Sequence, residues 1–547
     1  MRSIPVFFSS SPGPAASPAI PLRYLNTPGA EITINGMPFP YNGIYRPYIV
    51  GTDLNVIPWE ILNDITWRPM SFIGGDLNFR VGLPGDRANR SDVEIARGPY
   101  GYNSSRWRFF RPFGDKYYAY FTAGFKKSGG YYENTDYNGF HVTGGVSRQT
   151  RISMMSLDLW QHRAKTGLSS FDFYTFQESR QSREIDRAEL RYLRKLTGPI
   201  HVNLTGVLQK NDQTIYGYTV PTKTKYELGG GEMLLSDSLK AITLQAGMKY
   251  YRLRLFGLNS KMPSLNCFEY AAGIDGDLKP LEYRIRFSYR WDGAEQGEIT
   301  PMARVALQAD ISPYVFVSRS RRFPDLYLRN FDDYAGALGV PGLLQSYAFV
   351  SNPELSMPVT SVAAAGIESN FWKFHSNLGV SFIKIESQIY LAHSSDTLDN
   401  RTISPVNYDD EYLEIFGTTS ASVGPFSGEL SASYRQWRER YFDDGLEKGP
   451  AVIGFGRLSF LREFFIRRLY FGASVEVRAS SRRDYRAFTD AFTDAFVAAF
   501  GRLEFRYKDF TFWLNDDNIT NAEYSTWWPY NEAPRSVWWG FRWSFFD

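Results

Sequence analysis

The sequence predicts an all-β fold: a transmembrane antiparallel β-barrel of about 22 strands with a partial N-terminal plug domain inside its lumen. Three observations support this fold class. Long stretches alternate apolar and polar side chains. Aromatic residues make up 17% of the chain. Short connections between the alternating stretches themselves alternate with long connections.

The end of the chain shows the alternation of side chains most clearly. Along Ser536 to Phe545, the odd positions are all apolar and mostly aromatic, whereas most even positions are small or polar. A period of two places each set on its own face of an extended strand. The same pattern recurs at 281–292, 471–478 and 502–508. Soluble strands average about 5–6 residues, so runs of this length favour strands that cross a membrane.

The composition agrees with a membrane barrel and excludes helical membrane spans. The chain has 547 residues, among them 36 Tyr, 42 Phe and 13 Trp. Aromatic girdles at the two membrane interfaces would account for this excess. Hydrophobic residues make up only 43% of the chain, and no stretch approaches the ~18 apolar residues that a spanning helix requires.

The predicted strands can be placed in order along the chain. The first three barrel strands are expected at 91–98, 103–111 and 115–125. The others are expected near 138–148, 151–163, 185–196, 199–210, 223–236, 240–256, 264–277, 281–293, 300–310, 313–320, 360–371, 374–388, 411–422, 427–440, 450–462, 468–478, 493–506, 510–516 and 535–546. Short turns separate alternate pairs, and long loops are expected at 164–184, 211–222, 321–359, 389–410, 479–492 and 517–534. Outer-membrane barrels show this split between periplasmic turns and external loops.

The chain divides into three predicted parts. Residues 1–30 are predicted to be coil, 31–88 a partial plug domain, and 89–547 the barrel. The plug segment has a short strand at 31–35, a turn at Gly36, and a short helix that runs into a strand within 53–69. Met1 to Phe8 is too short for the hydrophobic region of an export signal, so we expect the chain to begin inside a longer gene product.

Several segments carry a resemblance to a known family. Residues 34–38 read INGMP, 54–69 contain LNVIP and ILNDITWRP, and 74–79 read GGDLNF. Similar runs occur in the plug of TonB-dependent outer-membrane receptors, where the last of them closes the plug. Segments 302–324, 352–368 and 514–535 are similar to the mid-barrel and C-terminal motifs of the same family. Asn35 stands where the family prefers Asp, and the chain ends on Asp547 instead of an aromatic residue.

The resemblance implies a location, a function and partners. It implies a receptor or transporter of the bacterial outer membrane that binds and imports a solute such as a metal chelate or another large nutrient. Its expected partners are outer-membrane lipid, that ligand, and an energy-coupling protein of the inner membrane if the full gene carries the coupling motif. A passive wide-pore porin with a plug remnant, and a surface adhesin or structural barrel, are the alternatives.

Charged residues on the inward strand faces are expected to contact the plug. The predicted plug–barrel contacts are Arg68, Arg284, Arg286, Glu504 and Arg506. In one interpretation these charges pair with the plug and with water. In the other they form an electropositive route for anionic ligands.

Ligand recognition is expected on loops at the outer mouth, because loops carry recognition on rigid scaffolds. Aromatic and arginine side chains suit planar or anionic ligands. The candidates in the plug loop and in the long barrel loops are Tyr41, Tyr45, Arg46, Tyr48, Arg321, Arg322, Tyr327, Arg329, Trp527, Trp528 and Tyr530.

The sequence offers no sign of covalent chemistry. Cys267 is the only cysteine, which rules out an intramolecular disulfide and a multi-thiolate metal site. The five histidines show no ligand spacing, and we expect neither a metal site nor a cofactor. The net charge of +3 is too small and too dispersed to indicate nucleic-acid binding. We therefore do not expect an enzyme.

Overall fold

The computed structural model describes most of the barrel and parts of the segment before it. The described residues are 19–21, 31–39, 44–46, 49–58, 61–69, 75–82, 89–131, 135–167, 180–196, 198–216, 222–239, 241–257, 264–278, 280–291, 298–321, 347–349, 352–356, 358–397, 400–437, 451–464, 469–485, 491–524 and 532–545. Among these residues, no helix has the length and apolar character needed to cross a membrane.

The segment before the barrel contains short strands and one 3-10 turn at Leu54–Val56. The strands are β1 (Ala19–Pro21), β2 (Glu31–Ile34), β3 (Met37–Pro38), β4 (Ile44–Arg46), β5 (Ile49–Asp53), β6 (Leu62–Pro69) and β7 (Gly75–Val81). A four-stranded sheet has the order β3-β2-β7-β6, in which β2 and β7 run parallel, and β1, β5 and β4 form a second small sheet.

The remaining strands build the barrel wall. They are β8 (Arg90–Arg97), β9 (Asn103–Phe113), β10 (Tyr117–Ser128), β11 (Tyr137–Gln149), β12 (Ser153–Gly167), β13 (Arg180–Lys195), β14 (Ile200–Tyr216), β15 (Thr222–Leu239), β16 (Ile242–Gly257), β17 (Ser264–Leu278), β18 (Leu281–Trp291), β19 (Glu298–Leu307), β20 (Ile311–Arg321), β21 (Tyr347–Phe349), β22 (Val359–Phe371), β23 (Phe374–Thr397), β24 (Asn400–Val423), β25 (Phe426–Trp437), β26 (Val452–Phe464), β27 (Leu469–Ser480), β28 (Arg483–Tyr485), β29 (Ala491–Thr493), β30 (Phe496–Tyr507), β31 (Phe510–Asp517) and β32 (Ser536–Phe545). The short β21 pairs in parallel with β24, and β28 with β29 forms a separate hairpin.

The other wall strands close an antiparallel barrel of 22 strands, which confirms the predicted fold class. The last strand, β32, pairs with the first, β8, from Trp539 opposite Arg97 to Phe545 opposite Ser91. Closure leaves no unpaired strand edge in the wall, as a membrane requires.

The two faces of the wall carry different side chains. On β32, Val537, Trp539 and Trp543 are exposed on the outer face, whereas Ser536 and Ser544 are buried on the inner face. The same division holds for the exposed Phe287 on β18 and Phe505 on β30. Apolar side chains therefore face outward, as on a lipid-facing barrel.

The connections differ in length at the two ends of the barrel. At the short-turn end, connections such as 372–373, 424–425 and 508–509 have two residues. At the long-loop end, stretches such as 438–451 and 518–535 separate successive strands. Short turns of bacterial barrels face the periplasm, so the long-loop end is the outer mouth.

The prediction of a long loop at 389–410 is wrong. β23 continues to Thr397 and β24 begins at Asn400, so these residues form an extended hairpin. The two strands stay paired through irregularities near Ile385 and Ser395. Pairing satisfies the backbone hydrogen bonds of both strands, which lets the hairpin continue where the apolar alternation has ended.

Candidate functional site

The tight turn between β2 and β3 lies at the centre of the candidate site. Asn35 and Gly36 both adopt left-handed backbone conformations, with φ of 52° and 83°. Asparagine and glycine are the residues that adopt this conformation most readily. The Asn35 side chain donates to the carbonyl of Val81 and accepts from its N–H, both at 3.0 Å. These bonds hold the turn against the end of β7.

A buried charge network on the inner face of the wall receives this turn. Arg187 and Glu189 on β13 pair at 2.9 Å, with 0% and 2% of their side chains exposed. Arg191 pairs with Asp158 on β12 at 2.8 Å and with Glu189 at 3.3 Å. Tyr120 donates a hydrogen bond of 2.7 Å to Asp158. Two arginines and two carboxylates therefore balance each other in an environment that is shielded from water.

Direct hydrogen bonds join the turn to this network. Arg187 Nη2 donates to the carbonyl of Ile34 at 3.2 Å, and the Asn35 amide donates to Glu189. A Cβ at Gly36 would lie 2.8 Å from a carboxylate oxygen of Glu232 on β15. The turn is therefore held between β13 and β15, and each buried charge has a partner, as burial demands.

An apolar cluster extends the same contact. Ile32, Ile34, Phe79 and other residues of the segment pack with wall residues of the inner face. The buried members of the cluster are Ile32, Ile34, Phe39, Val56, Ile57, Ile61, Phe79, Val81, Phe110, Tyr118, Tyr120, Trp160 and Ile185. Nearer the outer mouth, Lys126 on β10 donates to Asn55 at 2.8 Å. The described part of residues 31–82 is thus docked inside the lumen.

The close approach of Gly82 to the charge network gives a first prediction. Gly82 has a φ of 135°, and a Cβ there would lie 1.9 Å from Nη2 of Arg191. We expect Gly82→Ala to weaken docking by about 1–3 kcal/mol, because it strains the backbone and displaces a paired guanidinium. Faster hydrogen exchange in β7 would report the loss. Gly198→Ala, at a left-handed glycine with no atom within 4 Å of its Cβ, is the control and should leave β7 unchanged.

The predicted plug contacts on the wall have partners within the wall. Arg284 and Arg286 pair with Asp275 at 3.4 and 3.2 Å. Glu504 pairs with Arg506 at 3.1 Å. For Arg68, the structure describes the backbone in β6 and not the side chain. That these five residues contact the plug stays a prediction.

Ion pairs continue across much of the inner face. Lys249 lies 3.8 Å from Glu232 and 3.6 Å from Glu269, and Glu269 pairs with Arg290 at 3.1 Å. Arg304 pairs with Glu282 at 3.2 Å and with Glu368 at 2.8 Å. Each of these arginines therefore has an adjacent carboxylate, which reduces the positive field that an anion route would need.

The predicted ligand-binding residues lie largely outside the described part of the chain. Tyr45 and Arg46 belong to β4 and Arg321 ends β20, and for these the structure describes the backbone alone. The predictions that lie outside the described residues are Tyr41, Tyr48, Arg322, Tyr327, Arg329, Trp527, Trp528 and Tyr530.

Hydrogen bonds hold together the base of the loop that carries the tryptophan candidates. Asn518, with a φ of 55°, donates to the carbonyls of Ala522 and Ala533 at 2.9 and 3.2 Å. Arg535 makes a two-point contact with Asp516 at 3.0 and 2.6 Å. These bonds draw the two ends of the loop together at the outer mouth.

The side chain of Tyr524, at the base of this loop, lies on the lumen side. Its ring stacks on Phe496, on the inner face of β30, with 4.4 Å between the ring centroids. Burial, and next the charge of Glu532, raise the pKa of the Tyr524 phenol well above its ordinary value. The phenol therefore stays neutral at physiological pH and packs as an aromatic side chain.

Histidines on neighbouring strands come together although their sequence spacing gave no sign of it. His141 on β11 lies directly opposite His162 on β12, on the inner face. Only strand register could have revealed this pairing. Within the described residues, no group of three or more His, Cys, Asp or Glu side chains could hold a metal ion.

The charge network on β13 was also missed from the sequence. Residues 180–195 carry charges on both faces, so the alternation of apolar and polar residues gives little contrast there. Arg187, Glu189 and Arg191 alternate in charge on one face of a predicted strand, and this pattern could have indicated a charge network on that face.

Solved structures share this architecture, although no protein family and no curated protein sequence matches the chain. The copper transporter OprC has a TM-score of 0.77 at 12% identity, over 98% of this chain and 96% of that one. The FrpB iron transporter from Neisseria meningitidis has a TM-score of 0.73 at 11% identity, over 94% and 92%. The siderophore receptor PirA from Pseudomonas aeruginosa has a TM-score of 0.70 at 12% identity, over 94% and 91%. The chain therefore has the fold of these receptors and transporters, as its resemblance to TonB-dependent receptors implied.

Proposed function

We propose, from the fold shared with siderophore, iron and copper receptors and transporters, that this chain is an outer-membrane receptor that imports a solute. The solute we favour is a metal chelate, because the proteins with this fold described above are named for siderophores, iron and copper. The receptor binds its ligand without covalent chemistry. In this proposal an energy-coupling protein of the inner membrane drives import.

The observation that carries the proposal is the docking of the Asn35–Gly36 turn onto Arg187 and Glu189. A barrel of 22 strands encloses a lumen wide enough to need a plug. A passive porin does not require a buried network of four charges that anchors a segment in its lumen. A receptor does, because the segment must stay seated until a signal releases it.

The same network suggests how passage is controlled. Its charges pair with one another within the wall, and the docked turn is joined to them by hydrogen bonds of Asn35 and Ile34, each of which contributes about 1.5–3 kcal/mol because one partner is charged. An external pull of modest energy can therefore shift the segment without unfolding the wall. Ligand recognition is assigned to the outer loops and to Tyr41, Tyr45, Arg46 and Tyr48, which remain proposals.

Planar-bilayer conductance and growth together test the proposed function. We expect the purified chain to conduct far less than a variant that lacks residues 31–82. In a bacterial strain without other receptors, we expect the chain to restore growth on a ferric siderophore or on limiting copper. Steady conductance equal to that of the deletion variant, with no growth on any metal source, would instead indicate a passive pore.

A further inference from the structure

A groove of about 960 Å³ lies on the outer face of the barrel, against strands β10 to β16. It is distinct from the lumen, because most of its lining side chains point outward. Leu159 and Leu208 border it, and both are exposed on the outer face. The groove therefore opens toward the membrane and not toward the solute pathway.

Small outward-facing residues create this groove. Gly144, Ala188 and Gly229 lie on neighbouring parts of the lining, between larger residues such as Phe121 and Leu208. Ala188 is directly opposite Leu159 and Leu208, and Leu208 is opposite Gly229. The missing side chains leave an apolar trough.

One edge of the groove is a row of polar side chains. Five residues are opposite one another in register across five strands: Gln161, Asp186, Lys210, Glu227 and Arg254. The row lies on the long-loop side of the apolar residues, where the outward face changes from apolar to charged. This position corresponds to the level of the outer-leaflet headgroups.

Carboxylates in this region already have basic or hydrogen-bonding partners. Glu184 pairs with Arg163 at 2.6 Å, and Glu227 pairs with Lys225 at 2.5 Å. Asp212 pairs with Lys210, and Asp186 accepts a hydrogen bond from Gln161 at 2.8 Å.

Two arginines at the groove form no ion pair with these carboxylates. Arg252 and Arg254 both line it, two residues apart on the outward face of β16. Within the described part of the chain, neither guanidinium has a carboxylate within ion-pair distance. The groove therefore combines an apolar trough with two arginines that, among the described residues, form no ion pair.

We propose that this groove binds one anionic lipid of the outer leaflet, with an acyl chain in the trough and a phosphate on Arg252 and Arg254. Guanidinium groups bind phosphate in a two-point geometry, and here two of them share one face. The trough supplies the apolar surface that an acyl chain needs. A bound lipid would also fill a depression in the wall directly behind Trp160 and Arg187, which line the same cavity.

Native mass spectrometry of the folded chain in detergent, titrated with phosphatidylglycerol, tests the site. We expect the double variant Arg252→Ala/Arg254→Ala to bind this lipid roughly 30-fold more weakly, from ~1 kcal/mol for each basic residue at an anionic lipid surface. Gly229→Leu should also weaken binding, because its side chain would occupy the trough. Phosphatidylcholine should bind the parent and the double variant alike.

Matched controls separate this site from general lipid contact. Gly456→Leu places the same side chain at an outward glycine of β26, where a Cβ has its nearest contact at 3.6 Å, compared with 3.5 Å at Gly229. Arg148→Ala/Arg194→Ala removes two arginines near the short-turn end. Both controls should bind phosphatidylglycerol as the parent does. Equal binding by all variants, equal loss in the controls, or displacement of the lipid by tenfold excess inorganic phosphate would overturn the proposal.

Discussion

Ile285→Arg or Phe505→Arg is expected to impair assembly of the barrel in the membrane. Both side chains lie on outward faces, Ile285 on β18 and Phe505 on β30, where 41% of Phe505 is exposed. A positive charge on the lipid face near the bilayer midplane costs ~2–4 kcal/mol. The folded barrel should then be lost from the membrane fraction, as measured by heat-modifiable migration in gel electrophoresis.

The neighbouring inward residues provide the controls for this prediction. Arg286→Leu and Arg506→Leu remove charges from the water-filled side, where each arginine belongs to a partly exposed ion pair. Such pairs contribute about 0–1 kcal/mol. Equal loss of assembly in the inward and outward variants would contradict the assignment of faces.

Glu189→Leu is expected to release the docked segment while leaving the barrel assembled. The substitution leaves Arg187 buried without its carboxylate partner and removes the acceptor of the Asn35 amide. Loss of one partner from a buried pair costs about 3–5 kcal/mol, which corresponds to roughly 10²–10⁴-fold faster hydrogen exchange. Hydrogen exchange followed by mass spectrometry should show this acceleration in β2 and β7.

Glu504→Leu is the matched control for Glu189→Leu. Glu504 also pairs with two arginines on the inner face, but 25% of its side chain is exposed. Its ion pairs join wall residues of β30, and a predicted contact with the plug from so exposed a carboxylate would contribute about 0–1 kcal/mol, so exchange in β2 and β7 should change by at most about fivefold. If Glu504→Leu accelerated exchange as much as Glu189→Leu, the segment would be held by general lumen charge and not by the β13 network.

The barrel could be predicted from the sequence because each membrane-spanning strand can be recognised from its own residues. Alternation along β18, β30 and β32 follows directly from one face in lipid and one in water, so the strands could be located within a few residues. The extension of the β23–β24 hairpin over 389–410 was missed because it lies past the belt, where lipid no longer imposes that pattern.

The docking network depends on contacts between distant parts of the chain and could not be predicted in detail. The sequence predicts Asn35 at the end of a strand, next to a turn at Gly36, yet its partner Glu189 is 154 positions away. The contact depends on how far β13 is shifted against its neighbours, which residue type alone does not reveal. For the same reason, the sequence did not predict that Arg284 and Arg286 would pair with Asp275 on the adjacent strand.

Limited proteolysis from the periplasmic side tests the docked plug most directly. Residues 53–81 include Val56, Ile57, Ile61 and Phe79, which are buried against the inner face of the wall. A protease added to this side should therefore cut within residues 1–30 and spare 53–81, as peptide mapping by mass spectrometry would show. Cleavage of 53–81 as fast as 1–30 would contradict docking in the lumen and, with it, the proposed receptor.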